Sequence, residues 1–128
     1  MNFAKRVFQA AAVWGFLVIT PLFFFEEQMS ANGPMLYPEN YYGFLAVTFA
    51  WQACFYVISR DPVRFRPLMI PAMLEKFPII VIYTVLWQQG RLAAPALVFG
   101  VIDLIFGVLF LAAYLRTDNA PSWNVVHQ

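Results

Sequence analysis

Cysteine and histidine are nearly absent: one of each occurs in 128 residues. A single cysteine, Cys54, excludes an intrachain disulfide and a cysteine metal cluster. Its neighbours Trp51, Ala53 and Phe55 mark it as a small buried apolar residue, not a reactive thiol. The lone histidine, His127, reads as a solvated tail residue. No HxxE, HExxH, CxxC or glycine-rich phosphate loop is present, so no metal and no cofactor is expected. Charge is scarce as well. Asp, Glu, Lys and Arg make up 12% of the chain, against about a quarter in soluble domains. The formal net charge of +1 argues against a nucleic-acid partner.

What fills the chain is apolar: 62% hydrophobic and 19% aromatic residues, with a mean hydropathy of +0.65. A soluble domain of this size leaves much of its surface in water and could not hide so much apolar area. A bilayer removes the difficulty by solvating apolar side chains itself. The length suits one domain. A hydrocarbon core of about 30 Å needs roughly 20 apolar residues in a helix, and four stretches qualify: 7–25, 41–59, 68–88 and 95–115, followed by a tail over 117–128. Runs such as Phe77–Trp87 do not alternate, which excludes barrel strands. The expected fold is all-α, a four-helix transmembrane bundle. Lys5 and Arg6 ahead of an apolar run resemble a signal peptide, but the run is long and Met29-Ser30-Ala31 is a poor cleavage site, so a retained span is expected. Pro67 and Pro71 suit the first turn of the third span, whereas Pro78 removes a backbone bond and predicts a kink.

Four spans place both termini on one side, together with the loop between spans two and three. Lys5, Arg6, Arg60, Arg64, Arg66, Lys76 and Arg116 belong to that side, seven of the eight Lys and Arg residues. Arg91 alone lies opposite, where Glu26, Glu27 and Glu39 also fall. The positive-inside rule then makes the termini cytoplasmic, in a bacterial inner membrane. So strong a bias, and carboxylates at the outer end of the first span, separate the chain from small multidrug transporters. The loop around Asp61-Pro62 favours a turn. Its Arg60, Arg64 and Arg66 have two readings: a lipid-headgroup or partner site, or residues that only set topology. The outer loop over 26–40, with Asn32-Gly33-Pro34 and Tyr37-Pro38 as turn formers, is either a cap on the outer mouth or a connector.

Polar groups inside the membrane are costly and therefore informative. Asp103 lies about 12 Å along the fourth span. It shares a helical stripe with Ala96, Gly100 and Gly107, small residues that let a neighbouring helix approach. On the second span Thr48, Gln52, Tyr56 and Ser59 form a polar line, with Gln52 near the level of Asp103. A second stripe, Gly43, Ala46, Ala50 and Ala53, suits helix packing. Tyr83 approaches the same level from the third span. Lys76 is expected to extend toward headgroups and Glu75 to pair with an arginine of the inner loop. Asp103, Gln52, Glu75 and Tyr83 are thus candidate ligand-binding residues. In the competing structural reading, Asp103 hydrogen-bonds to Gln52 or Tyr83 and fixes helix register.

Tyr42-Gly43-Phe44, Trp51-Gln52, the segment from Arg60 to Met69, Leu74-Glu75-Lys76, Gly90-Arg91 and Asp103 together resemble a group of small uncharacterised bacterial four-span membrane proteins. The likeness runs from the first span to Arg116, and no activity comes with it. More loosely, the architecture is similar to DoxX-like and sterol-isomerase-like four-helix membrane bundles, which licenses no function. Three roles follow as expectations. The first is a membrane protein binding a lipophilic ligand or lipid in its bundle. The second is an accessory subunit packing on a membrane-protein partner or a second copy through small-residue stripes. The third is a membrane enzyme using Glu75 or Asp103 as acid or base. The topology has a direct test. Green fluorescent protein fused after Gln128 is expected to fluoresce in a bacterial host, and alkaline phosphatase at that point to stay inactive. Active phosphatase there would invert the arrangement.

Overall fold

A computed structural model describes residues 2–30 and 33–118. Asn32, the tail residues Pro121, Trp123 and His127, and the other residues after Asp118 lie outside it. The order of elements is α1 (Asn2–Leu22), a single-turn α2 (Glu26–Met29), α3 (Pro38–Arg60), α4 (Met69–Gln88) and α5 (Leu97–Arg116). Short 3-10 turns at Arg66–Leu68 and Ala94–Ala96 lead into α4 and α5. Among the described residues there is no strand. Four helices are long and apolar enough to cross a membrane: Asn2–Leu22, Pro38–Arg60, Arg66–Gln88 and Ala94–Arg116. The chain is an all-α, four-helix transmembrane bundle.

Helix ends follow local chemistry. α1 takes in Lys5 and Arg6 and stops at Leu22, just past Pro21, so it begins and ends earlier than the apolar run alone implies. The Tyr41 hydroxyl donates to the Leu22 carbonyl (2.6 Å), which occupies one of the acceptors left at that helix end and ties α3 to α1. Pro38 sits in the first turn of α3, where its missing N–H costs nothing. α4 runs on through Pro78 as one helix. α4 ends in a Schellman turn: Arg91 N–H donates to Leu86 O and Gly90 N–H to Trp87 O, with Gly90 at φ +73°, where a side chain would be strained.

The helices associate as two antiparallel hairpins, α1 with α3 and α4 with α5, joined mainly where α1 meets α5. The core gathers at the basic end, the end that carries both helical termini and the α3–α4 loop. Phe8, Phe55 and Phe110 are fully buried there beside Ala4, Ala11, Ile58, Met69, Ala72 and Ala113. Phe8 stacks on Phe110 at 4.2 Å between centroids, and Phe55 meets Phe110 edge-on at 5.0 Å. Such pairs add about 0.5–1.5 kcal/mol each beyond area. Lipid is as apolar as leucine, so shape and close approach must hold the rest. Gly107 lets the Phe77 ring lie against α5, and a Cβ there would come within 2.9 Å of it. Gly15 leaves space for the Gln52 side chain, which a Cβ would overlap. Leu17, Leu74, Val81, Val108 and Leu115 point outward and form the surface that lipid solvates.

Gly15→Ala is therefore expected to destabilise the bundle by about 1–3 kcal/mol through overpacking. Adding Gln52→Ala should return most of that loss. Thermal melts in detergent measure both, and equal melting of Gly15→Ala and the parent would remove Gly15 as a packing device.

Candidate functional site

The site begins with Lys76. It lies about 15 Å along the third membrane helix from Arg66 at 1.5 Å per residue. The expected extension toward the interface does not occur. Lys76 is 5% exposed and turns inward, where its Nζ donates to Asp103 Oδ1 at 3.2 Å. The same nitrogen lies 3.5 Å from Glu75 Oε2. That contact is an ion pair without hydrogen-bond geometry, and Glu75 Oε2 is buried with no donor. Glu75 thus pairs with its own neighbour and not with an arginine of the inner loop. Phe55 and Phe106 flank the ammonium, with ring centroids 5.3 and 5.8 Å away. Their faces add attraction that grows as water is excluded.

Register explains the pairing. In the α4–α5 hairpin, Phe77 faces Gly107, while Ile80 and Tyr83 face Gly100. Asp103 falls between those two contacts, beside the turn of α4 that carries Lys76 and Phe77. The stripe Gly100, Asp103 and Gly107 does form the packing face expected of it. With both carboxyls ionised, one ammonium between them would leave a single negative charge in excess. The exposure is uneven: the Asp103 and Glu75 side chains are 23% and 19% exposed, and that of Lys76 only 6%. The acidic groups face the bundle surface and the cation is sealed behind them.

Two other expected members do not join the cluster by hydrogen bonds. Gln52 is 1% exposed, but it turns toward α1 and lies in the space at Gly15. Its Nε2 donates to Thr48 O at 2.9 Å, and its Oε1 is buried without a donor. The room that Gly15 offers and a carbonyl on its own helix draw it away from Asp103. Tyr83 is half-buried against Gly100; the hydrogen bond Asp103 accepts comes from Lys76 and not from Tyr83. The stripe Gly43, Ala46, Ala50 and Ala53 faces outward along its whole length, so it does not pack within the bundle.

The loop arginines divide. Arg66 Nε donates to Tyr114 O at 3.0 Å, and its guanidinium lies 3.8 Å over the Tyr114 ring. It closes the end of α5, where a cation also suits the helix dipole. Arg64 stands exposed over Phe65. Arg60 Nη1 donates to the Tyr56 hydroxyl at 3.1 Å. Among the described residues no group of three or more His, Cys, Asp or Glu could hold a metal ion.

The residue that the sequence reading missed is Lys76 as partner of Asp103. The available signal was a cation well inside one span and an opposite charge inside the next, on two helices joined by a short turn. Fold and site define an all-α, multi-pass membrane bundle built around an ion-pair network inside the membrane. Comparison with protein-family models, with curated proteins and with solved structures finds no match.

Lys76→Met strands two carboxylates without a counter-charge and is expected to destabilise the protein by about 3–5 kcal/mol, the usual effect of breaking a buried pair. The triple change Lys76→Met, Glu75→Gln, Asp103→Asn should recover most of this. Denaturant titration in mixed micelles reads both, and an unchanged Lys76→Met midpoint would show that the network does not hold the bundle.

Proposed function

We propose that this is a multi-pass protein of the bacterial inner membrane, with its termini cytoplasmic, that binds a lipophilic cation in its helical bundle at Glu75 and Asp103. The observation that carries this reading is the cluster's arrangement: two partly exposed carboxylates around one sealed ammonium, at a depth where the surroundings are hydrocarbon. An excess negative charge there costs several kcal/mol. A hydrophobic ammonium or phosphonium arriving from the bilayer would neutralise it while keeping its own apolar body in lipid. Glu75, whose side chain is partly exposed and takes no hydrogen bond from Lys76, is the carboxylate free to meet it, and Asp103, committed to Lys76, fixes the geometry. The basic residues at the end carrying the termini support the orientation.

A second reading, an accessory subunit docking on another membrane protein, draws support from the outward stripe Gly43, Ala46, Ala50 and Ala53, since small residues favour close helix approach in lipid. One experiment separates them. Tetraphenylphosphonium binding to purified protein in nanodiscs is expected to weaken at least tenfold, about 1.4 kcal/mol, in Glu75→Gln, with melting and helicity retained. Absence of binding in the parent, or equal binding in Glu75→Gln, would reject the ligand site and leave the docking reading.

A further inference from the structure

At the basic end, on the face where α1 meets α3, a cavity of about 240 Å³ is lined by Lys5, Gln9, Tyr56, Ser59 and Arg60. Its charges are both positive and no carboxylate lines it. Neither Lys5 nor Arg60 forms an ion pair among the described residues. The Arg60 guanidinium is positioned instead by the Tyr56 side chain, whose hydroxyl accepts from Nη1 and whose ring lies 5.9 Å beneath it. A hydroxyl that accepts this bond keeps its own proton to donate. The cavity therefore offers two cations and a ring of neutral polar groups, and its electrostatics call for an anion.

Gln9 also borders a second concavity. A groove of about 440 Å³ runs along α1 over Arg6, Gln9, Ala10, Val13, Trp14 and Leu17, positions that recur at helical spacing on one face. From Arg6 to Leu17 it extends about 16 Å at 1.5 Å per residue, close to one leaflet of a hydrocarbon core of about 30 Å. Beyond Arg6 and Gln9 its lining is apolar, and Val13 and Leu17 are strongly exposed. A cationic pocket at the level of the helix ends thus opens, through Gln9, onto an apolar groove one leaflet long.

We infer that Lys5, Arg60 and Tyr56, with Gln9 and the α1 groove, form a binding site for one anionic glycerophospholipid, its phosphate in the pocket and an acyl chain along Ala10, Val13, Trp14 and Leu17. The site lies apart from Glu75, Lys76 and Asp103 and holds whether or not these bind a ligand. It selects by headgroup charge, because the groove suits any acyl chain while the pocket rewards a net negative head. Arg60 and Tyr56 come from α3 and Lys5 and Gln9 from α1, so a bound lipid also joins those two helices.

Trp14 reports occupancy directly. With Trp51, Trp87 and Trp123 replaced by Phe, the protein is placed in phosphatidylcholine nanodiscs containing brominated phosphatidylglycerol or brominated phosphatidylcholine, and quenching of Trp14 is measured. The expected result is a preference for phosphatidylglycerol on the order of tenfold. Lys5→Gln with Arg60→Gln should abolish it, and Arg60→Lys alone should retain most of it. Both altered side chains are exposed, and circular dichroism confirms that the variants fold. Equal quenching by the two lipids in the parent would overturn the site, as would a preference that survives the double change. Inorganic phosphate at millimolar concentration should not relieve the quenching. If it does, the pocket takes free phosphate and the lipid assignment fails.

Discussion

One largely buried ammonium held between two carboxylates is the interaction around which the molecule is arranged. Lys76 is buried within the bundle, so its charge must be met from inside it. Asp103 meets it across the α4–α5 hairpin, between the close contacts at Gly100 and Gly107. Phe55 brings α3 to the same ammonium by its ring face. A single charged nitrogen thereby touches groups from three of the four spanning helices. The second carboxylate, Glu75, lies 3.5 Å from the same nitrogen without a hydrogen bond from it.

Packing around this centre is uneven. Toward the basic end, three phenylalanines, several alanines and Met69 fill the space between all four long helices, and Arg66 and Thr117 bind carbonyls near the end of α5. Arg116 extends over Phe3 there and links α5 to the start of α1. Toward the far end burial is sparse: Ile19 and Leu45 are buried in the first hairpin, Gly100 meets Ile80 and Tyr83 within the second, and α4 buries nothing after Lys76. The arrangement is a bundle clamped at one end, with its charges at the edge of the clamp. Where α1 and α3 close, they leave a basic hollow at the surface.

Much of this was legible from residue order. Lengths of apolar runs and the bilayer's thickness make four helices nearly unavoidable. Gly100 and Gly107 on the stripe of Asp103 announced a close helix contact, and Phe77 and Tyr83 occupy it. The partners of the polar residues were not legible. Gln52 and Asp103 stand at similar depth, but depth does not specify the direction of a side chain around a helix, and a gap at Gly15 took Gln52 the other way. The stripe Gly43, Ala46, Ala50 and Ala53 has the composition of an interface, but rotation of α3 turns it to the outside.

The sequence by itself determined that the chain is a membrane bundle of four helices, because hydrophobic length and charge placement act locally and need no neighbour to be read. It also determined that Asp103 needs company, since a carboxylate in hydrocarbon is costly in any fold. Only the tertiary structure decided who provides it. Rotation and register of packed helices depend on many weak side-chain contacts acting together, and the choice of Lys76 over Gln52 or Tyr83 is their joint result.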